Sequence, residues 1–191
     1  LDAYGRASFT LAHNGAELAR VRLSVPGEHN VYNALSALSA GLYLDLDPQK
    51  MADALASFQN AHRRYETLGF VSGIEIVTDY AHHPNELRSA VYTALSRPHG
   101  KIYIVFQPHT FSRTRALFDD FVSAFAGVDE VILVDIFPAR EVDDGTVSSR
   151  MLADAIARTQ RCRYAASFAD AEDLLRAEWS EGDVVIAAGA G

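Results

Sequence analysis

From Gly69 onward, short apolar segments alternate with longer helical segments, and this alternation constrains the fold more than any other feature of the chain. The segments predicted as strands are Ile74–Thr78, Ile102–Phe106, Val131–Asp135, Arg163–Ala165 and Val184–Ala187. The helices predicted between them are Pro84–Ser96, Thr114–Ala126, Ser148–Thr159 and Ala169–Glu178. Apolar strands that alternate with helices are typical of a parallel sheet covered on both faces. The sequence therefore predicts an α/β fold with a mostly parallel sheet.

The segment before residue 69 follows a different pattern. Apolar and polar side chains alternate over residues 19–25, which is the period of a half-buried strand. Asn14-Gly15 is a strong tight-turn signal and predicts a β-hairpin from Ser8 to Val25. Two helices are predicted to follow, over Glu28–Leu44 and Asp47–Phe58, the second opened by an N-cap carboxylate and a proline.

The polar segment Asn60–Leu68 has no clear period and separates the two patterns. We therefore predict two domains, at residues 1–68 and 69–191. The chain begins at Leu1 inside a predicted strand and ends on a glycine-rich run, so we expect a fragment of a longer protein.

Composition excludes several classes of function. A formal net charge of −8 argues against a nucleic-acid partner, because phosphate backbones require clustered Lys and Arg. The single cysteine, Cys162, cannot form an internal disulfide, which favours a reducing compartment such as the cytoplasm. No apolar run is long enough to predict a membrane span.

Polar and charged side chains follow the predicted strands at the points where they end. These are Asp79–Pro84 after the first strand, Gln107–His109 with Arg113 and Arg115 after the second, Asp135–Ala139 after the third and Gly189–Gly191 after the last. Ligands of open parallel sheets bind beyond the carboxyl ends of the strands. We therefore predict a binding site at this edge.

Several of these groups have a structural and a functional interpretation. Asp79 is expected either to have a structural role, capping the following helix or holding its loop, or to accept the hydroxyls of a ribose. His82-His83 is a candidate metal pair, but zinc prefers wider ligand spacings, so a loop that holds a substrate carboxylate or phosphate is favoured. Arg113 and Arg115 cannot share one helix face, so one is predicted as a surface charge and the other as an anion-binding fork.

Two further groups precede the sheet. Asn30 and Asn33 fall on one helix face, where their carboxamides either read the edge of an adenine or cap the helix. Arg63-Arg64 lies between the predicted domains, as a solvated hinge or as a contact to a triphosphate.

Taken in order, these motifs resemble those of the Mur ligase family. They are G-x-H-N-x-x-N (Gly27–Asn33), R-R-Y-E (Arg63–Glu66), D-Y-A-H-H-P (Asp79–Pro84), F-Q-P-H-x-x-S-R-T-R (Phe106–Arg115), F-P-A-R (Phe137–Arg140), S-S-R (Ser148–Arg150) and the terminal G-A-G. The motifs span nearly the whole chain. Within the family, the double histidine and the Q-P-H…R-T-R run most resemble the members that add L-alanine.

The resemblance implies roles for individual residues. Nucleotide binding is implied for His29, Asn30 and Asn33 near the adenine, for Asp79 at the ribose and for Arg64 at the phosphates. Substrate binding is implied for His82, His83, His109 and Arg113, of which His82 and Arg113 are the implied catalytic residues and Arg113 holds the amino-acid carboxylate. The chain departs from the family at Thr110, three positions before Arg113, where another basic residue is common.

The resemblance also implies the reaction and the rest of the protein. ATP would activate the carboxylate of UDP-N-acetylmuramic acid to an acyl phosphate, which the amine of L-alanine attacks, with Mg²⁺ as cofactor. The chain has no G-x-x-x-x-G-K-[ST] phosphate loop, so that loop and the magnesium ligands are expected in missing N-terminal and central domains. Residues 1–68 would be the tail of the central ATPase-type domain, and residues 69–191 a Rossmann-like C-terminal domain.

Three alternatives remain open at this point. The first is a Mur-type ligase for another amino acid or for a recycled tripeptide. The second is a non-catalytic nucleotide-binding domain, and the third is a metal hydrolase that uses Asp79, His82, His83 and His109.

Overall fold

The chain begins with a β-hairpin, as predicted. Strands β1 (Arg6–His13) and β2 (Ala16–Pro26) pair antiparallel. The turn residues Asn14 and Gly15 have φ angles of 49° and 82°, and positive values at both positions are what a two-residue hairpin turn requires. The apolar residues of β2 that alternate in the sequence are buried, which confirms the predicted period.

Two helices pack against the hairpin. Helix α1 spans His29–Tyr43 and helix α2 spans Pro48–Ala56, where the Asp47 carboxylate accepts a hydrogen bond from the Lys50 backbone N–H at 2.9 Å. Their buried contacts with the strands form one apolar core, whose buried members are Ala7, Leu11, Ala19, Val21, Leu23, Ala34, Leu38 and Ala52.

The remaining strands form a six-stranded sheet in the order β3-β4-β8-β5-β6-β7. Their bounds are β3 Glu66–Val71, β4 Ile74–Asp79, β5 Ile102–Gln107, β6 Glu130–Leu133, β7 Cys162–Tyr164 and β8 Val184–Gly189. All neighbouring pairs are parallel except β3 with β4, which are antiparallel. The predicted α/β fold with a mostly parallel sheet is confirmed, whereas β3, an edge strand with exposed Leu68 and Phe70, was not predicted.

Helices cover both faces of this sheet. They are α3 Pro84–Leu95, α4 Phe111–Ala116, α5 Phe118–Val122, α6 Ser149–Ile156 and α7 Phe168–Arg176. Two separate apolar cores result, one around Phe106 and Phe121 and the other around Tyr103 and Leu175.

The single helix predicted over Thr114–Ala126 is wrong. The chain instead forms the short helices α4 and α5, which are separated at Leu117, where φ is −114° and ψ is 23°. Helix α4 also begins three residues before the predicted start, because the Thr110 side chain accepts a hydrogen bond from the Arg113 N–H and caps it. Apolar spacing indicated a helix here, but it could not indicate the break.

The computed structural model describes all residues from Leu1 to Gly191. It contains two compact units, Leu1–Ala61 with Ser96–Pro98, and His62–Leu95 with His99–Gly191. The predicted domain division at residues 68 and 69 stays a prediction about the longer protein. None of the helices combines the length and the apolar character that crossing a membrane would take.

Candidate functional site

The second unit brings three strand ends together at one edge of its sheet. In the register of the parallel strands, Asp79 at the end of β4 lies beside Ala188 of β8, and Gln107 at the end of β5 lies beside Gly189. The loops that follow β4 and β5 therefore start at the same edge of the sheet, with only strand β8 between them. This is the edge at which parallel sheets bind their ligands.

The predicted residues on these two loops form a connected cluster. The His82 and His109 rings lie 6.0 Å apart between centroids, and Arg113 Nη1 lies 3.3 Å from His109 Nδ1. His82 Nδ1 is 2.9 Å from the carbonyl oxygen of Tyr80, the residue after Asp79. The structure thus places Asp79, His82, His109 and Arg113 in one region, although they lie at or after the ends of two separate strands, β4 and β5.

The Asp79 carboxylate is buried and does not cap the following helix. One oxygen accepts from the Tyr65 N–H at 2.8 Å and the other from the Ala81 N–H at 2.7 Å. Burial raises the pKa of Asp79, and the two backbone hydrogen bonds oppose that shift. The carboxylate therefore holds the backbone at Ala81, in the loop after β4, and at Tyr65, just before β3. Each oxygen keeps a lone pair for another donor.

Helix α3 is capped by Glu86 and His83 instead. Glu86 Oε2 accepts from the N–H groups of His82 and His83 at 3.0 and 3.1 Å, and His83 Nδ1 accepts from the Asn85 N–H at 3.2 Å. This is a capping box, with histidine at the position usually held by Ser or Thr. One ring nitrogen of His83, a predicted substrate contact, is thus occupied in holding the helix.

Hydrogen bonding fixes the proton on His82. Because a carbonyl oxygen only accepts, His82 Nδ1 must donate to Tyr80, so Nδ1 carries the proton in the neutral ring. Glu86 Oε2 lies 3.4 Å from the same nitrogen. The other nitrogen, Nε2, keeps its lone pair and can accept a proton from a ligand.

His109 and Arg113 form a pair in which the histidine accepts. A guanidinium only donates, so His109 Nδ1 accepts from Arg113. Burial lowers the pKa of His109, and the positive charge of Arg113 and the neighbouring His82 lower it further. The His109 ring also stacks on Phe137, with centroids 5.6 Å apart. A neutral His109 therefore orients the guanidinium while leaving its charge uncompensated.

This pair makes stability depend on pH. The folded-state pKa of His109 is depressed, so below the ordinary histidine pKa of about 6.5 the unfolded chain binds more protons than the folded chain. We expect the free energy of unfolding to fall as the pH is lowered from about 7.5 to about 5. Urea unfolding of the chain and of His109→Gln at both pH values measures this. If the free energy of unfolding fell equally in both proteins on acidification, the pH dependence could not be assigned to His109.

The structure separates the roles of the two nearby arginines. Arg115 Nη1 pairs with Asp144 at 2.8 Å and donates to Thr146 Oγ1 at 2.7 Å, which makes it an exposed, neutralised surface charge. Arg113 has no carboxylate partner among its contacts and faces His109. Of the two, Arg113 is therefore the candidate anion-binding fork.

Arg63 and Arg64 flank the exposed ring of Tyr80, with guanidinium carbons 5.0 and 5.9 Å from its centroid. Arg63 Nη2 donates to the Gly189 carbonyl at 2.6 Å, and Arg64 Nη1 lies 3.5 Å from Glu86 Oε1. Of these residues, Glu86 was not predicted as part of the site. Its position three residues after His83 is that of the acidic residue in a capping box, but the signal is partial because His83 replaces the usual Ser or Thr.

The predicted adenine contacts lie in the first unit. Asn30 donates to the Pro26 carbonyl at 2.7 Å and accepts from the Asn33 amide at 3.1 Å, so neither side chain caps the helix. Both line a cavity of about 270 Å³ whose other lining residues are apolar: Leu23, Val25, Ala34, Ala37, Leu55 and Phe58. His29 is exposed beside them. A flat heterocycle with a polar edge suits an apolar slot of this kind.

No group of three or more His, Cys, Asp or Glu side chains in the chain is arranged to hold a metal ion.

Comparison with known proteins identifies a family. A family model described as "Mur ligase, glutamate ligase domain" matches residues 63–191. Among curated proteins, the UDP-N-acetylmuramate–L-alanine ligase of Clostridium acetobutylicum is 44% identical over 188 residues, which cover 98% of this chain and 41% of the relative. The ligase of the same name from Clostridium kluyveri is 45% identical over 191 residues, covering 100% of this chain and 42% of the relative.

Solved structures give the same fold. The UDP-N-acetylmuramate–alanine ligase of Thermotoga maritima matches with a TM-score of 0.79 at 28% identity, over 98% of this chain and 40% of that one. A murein peptide ligase from Psychrobacter arcticus matches with a TM-score of 0.67 at 20% identity, over 100% of this chain and 40% of that one. The chain spans about two fifths of the length of these relatives.

Proposed function

Because this chain belongs to the Mur ligase family, we propose that it is the C-terminal part of an ATP-dependent UDP-N-acetylmuramate–L-alanine ligase. The observation that carries the proposal is that Arg113 and His82 both lie beside His109. An uncompensated guanidinium and a nearby imidazole with a free lone pair match the two ends of an amino acid, its carboxylate and its amine.

The proposed chemistry assigns one step to each group. Arg113 binds the carboxylate of L-alanine through a charge-assisted fork, which places the amine toward His82. His82 Nε2 accepts a proton from the ammonium group, so that a neutral amine attacks the acyl phosphate of the muramyl group. The amide bond forms as the bond between the acyl carbon and the phosphate oxygen breaks, and inorganic phosphate leaves with the second proton of the amine.

ATP contacts are proposed for residues of both units. Asn33, an exposed carboxamide held by Asn30 at the apolar cavity, is proposed to read the adenine edge, with His29 beside it. Asp79 is proposed to accept a ribose hydroxyl with its remaining lone pairs, and Arg64 is proposed to contact the phosphates.

Mg²⁺ belongs to the proposed reaction, with its ligands mainly outside this chain. The residues here supply no set of three acidic or histidine ligands, and the chain has no phosphate loop. We therefore assign the phosphate loop and most of the metal ligands to the missing N-terminal and central parts of the full-length protein, and no step in this chain to the metal. The cytoplasm, where ATP and nucleotide-linked sugars are available, is the proposed compartment.

The test is acceptor preference in the full-length protein. With ATP and UDP-N-acetylmuramic acid present, we expect phosphate release to depend on L-alanine and to be slower with glycine, L-serine or a cell-wall tripeptide. Preference for the tripeptide would favour the recycling ligase, and the absence of any acceptor-dependent release would favour a non-catalytic nucleotide-binding domain.

The isolated chain of 191 residues is expected to be inactive and to bind ATP weakly. It lacks the phosphate loop that positions the transferred phosphoryl group, and positioning together with charge stabilisation provides most of the catalysis in this chemistry. Phosphate release and ATP titration calorimetry measure both properties. ATP-dependent ligation by the isolated chain would contradict the assignment of the phosphate loop to a missing part of the protein.

A further inference from the structure

The segment Phe137–Thr146 lies against helix α4, which carries Arg113. Two backbone hydrogen bonds join it to the residues just before the helix, from Thr110 N–H to the Phe137 carbonyl at 2.9 Å and from Phe137 N–H to the Pro108 carbonyl at 2.8 Å. These bonds fix where the segment begins relative to His109, whose ring stacks on Phe137.

Within this segment, Glu141 holds the first turn of α4. Its Oε2 accepts from the Ser112 backbone N–H at 2.8 Å, and its Oε1 accepts from the Ser112 hydroxyl. The backbone of Glu141 is itself held in a tight turn, because the Glu141 N–H donates to the Pro138 carbonyl at 2.9 Å. The hydroxyl and backbone hydrogen bonds from Ser112 lower the pKa of Glu141, so the carboxylate is ionised at neutral pH.

The turn that Glu141 holds is under backbone strain. Thr110 has a φ of 67° and a ψ of 144°, in a region that favours glycine and is unusual for a β-branched residue. Such conformations persist where surrounding contacts hold them, and they cluster at functional sites. Helix α4 spans only Phe111–Ala116, too short to be stable without tertiary contacts.

We propose that Glu141 is a positioning residue for Arg113. By binding both the backbone and the side chain of Ser112, it fixes the rotation of α4 and so aims the neighbouring guanidinium at His109 and the amino-acid carboxylate. The effect on the amino acid rests on the proposed function. The effect on α4 does not, because it follows from the contacts alone.

The test replaces Glu141 by alanine in the full-length protein. We expect the KM for L-alanine to rise about 10- to 100-fold with a smaller change in kcat, because a displaced binding group weakens substrate binding. Hydrogen exchange of the peptide covering residues 110–116 should become faster. Glu141→Gln should restore most of both properties, since its amide oxygen accepts from the Ser112 N–H and its amide nitrogen can donate to the hydroxyl oxygen.

Glu172→Ala is the matched control, because it removes an exposed carboxylate whose partner is Arg176 on helix α7. It should change neither the KM nor the exchange of residues 110–116. Two results would overturn the inference: a KM for L-alanine that is unchanged in Glu141→Ala, or unchanged exchange in α4. Failure of the proposed function is recognised separately, since the wild-type protein would then show no dependence on L-alanine.

Discussion

Replacing Arg113 by alanine in the full-length protein is expected to raise the KM for L-alanine by about 100-fold or more, with little change in the KM for ATP. The Arg113 guanidinium contacts His109 and has no carboxylate partner. Its removal leaves the substrate carboxylate without a fork to bind, and that contact is charge-assisted. Steady-state kinetics with varied L-alanine measures the change.

Arg115→Ala is the control, because it removes the same group two residues away. Arg115 is an exposed charge paired with Asp144 and Thr146, so its loss should change the KM for L-alanine less than about 3-fold. Arg113→Lys keeps the charge but not the fork and should fall between the two. Equal effects of the two alanine substitutions would remove the basis for assigning the carboxylate to Arg113.

Replacing Asp79 by alanine is expected to lower the free energy of unfolding of the chain by roughly 2–4 kcal/mol. The buried carboxylate accepts from the N–H groups of Tyr65 and Ala81, and both donors would lose their partner. Guanidinium unfolding measures the loss, and ATP binding by the full-length protein should weaken as well.

Asp79→Asn separates the hydrogen bonds from the charge. Its single carbonyl oxygen can satisfy one of the two donors, so the expected loss is about 1–2 kcal/mol. Asp173→Ala, at an exposed position on helix α7, should lie within about 0.5 kcal/mol of the wild type. A loss in Asp79→Ala no larger than in this control would show that the buried carboxylate does not hold the loop.

The sheet and the proximity of the candidate site residues could be predicted because both depend on repeated, local patterns. Apolar segments such as Ile102–Phe106 recur between helices, and the carboxyl ends of parallel strands must share one edge of the sheet. That rule alone places Asp79, His82 and Arg113 in one region, as the structure does. The turn at Asn14-Gly15 was predictable for a similar reason, since few residue pairs accept two positive φ angles.

Other features depend on contacts between residues far apart in the chain, which local patterns do not contain. Strand β3 has no regular alternation and exists because it pairs with β4. The proton on His82 is fixed by the Tyr80 carbonyl, and the orientation of Arg113 by His109. The role of Glu141 requires a hydrogen bond to Ser112, 29 residues earlier. None of these partners can be identified from spacing.

Asp79 shows how a sequence can indicate a structural role without identifying the partners. The sequence indicates a helix cap, loop structure or a ribose contact, and the structure shows loop structure rather than a cap. Its two oxygens hold the backbone of Tyr65 and Ala81, so it organises the loop that carries His82 and the segment that carries Arg64. The ribose contact stays a prediction.

The most direct test of the account is a crystal structure of the full-length protein with UDP-N-acetylmuramic acid, L-alanine and a non-hydrolysable ATP analogue. We expect the alanine carboxylate to lie within hydrogen-bond distance of the Arg113 guanidinium. We expect the alanine nitrogen to point toward His82 Nε2. Alanine bound away from the edge where β4 and β5 end, with Arg113 and His82 in contact only with solvent, would contradict it.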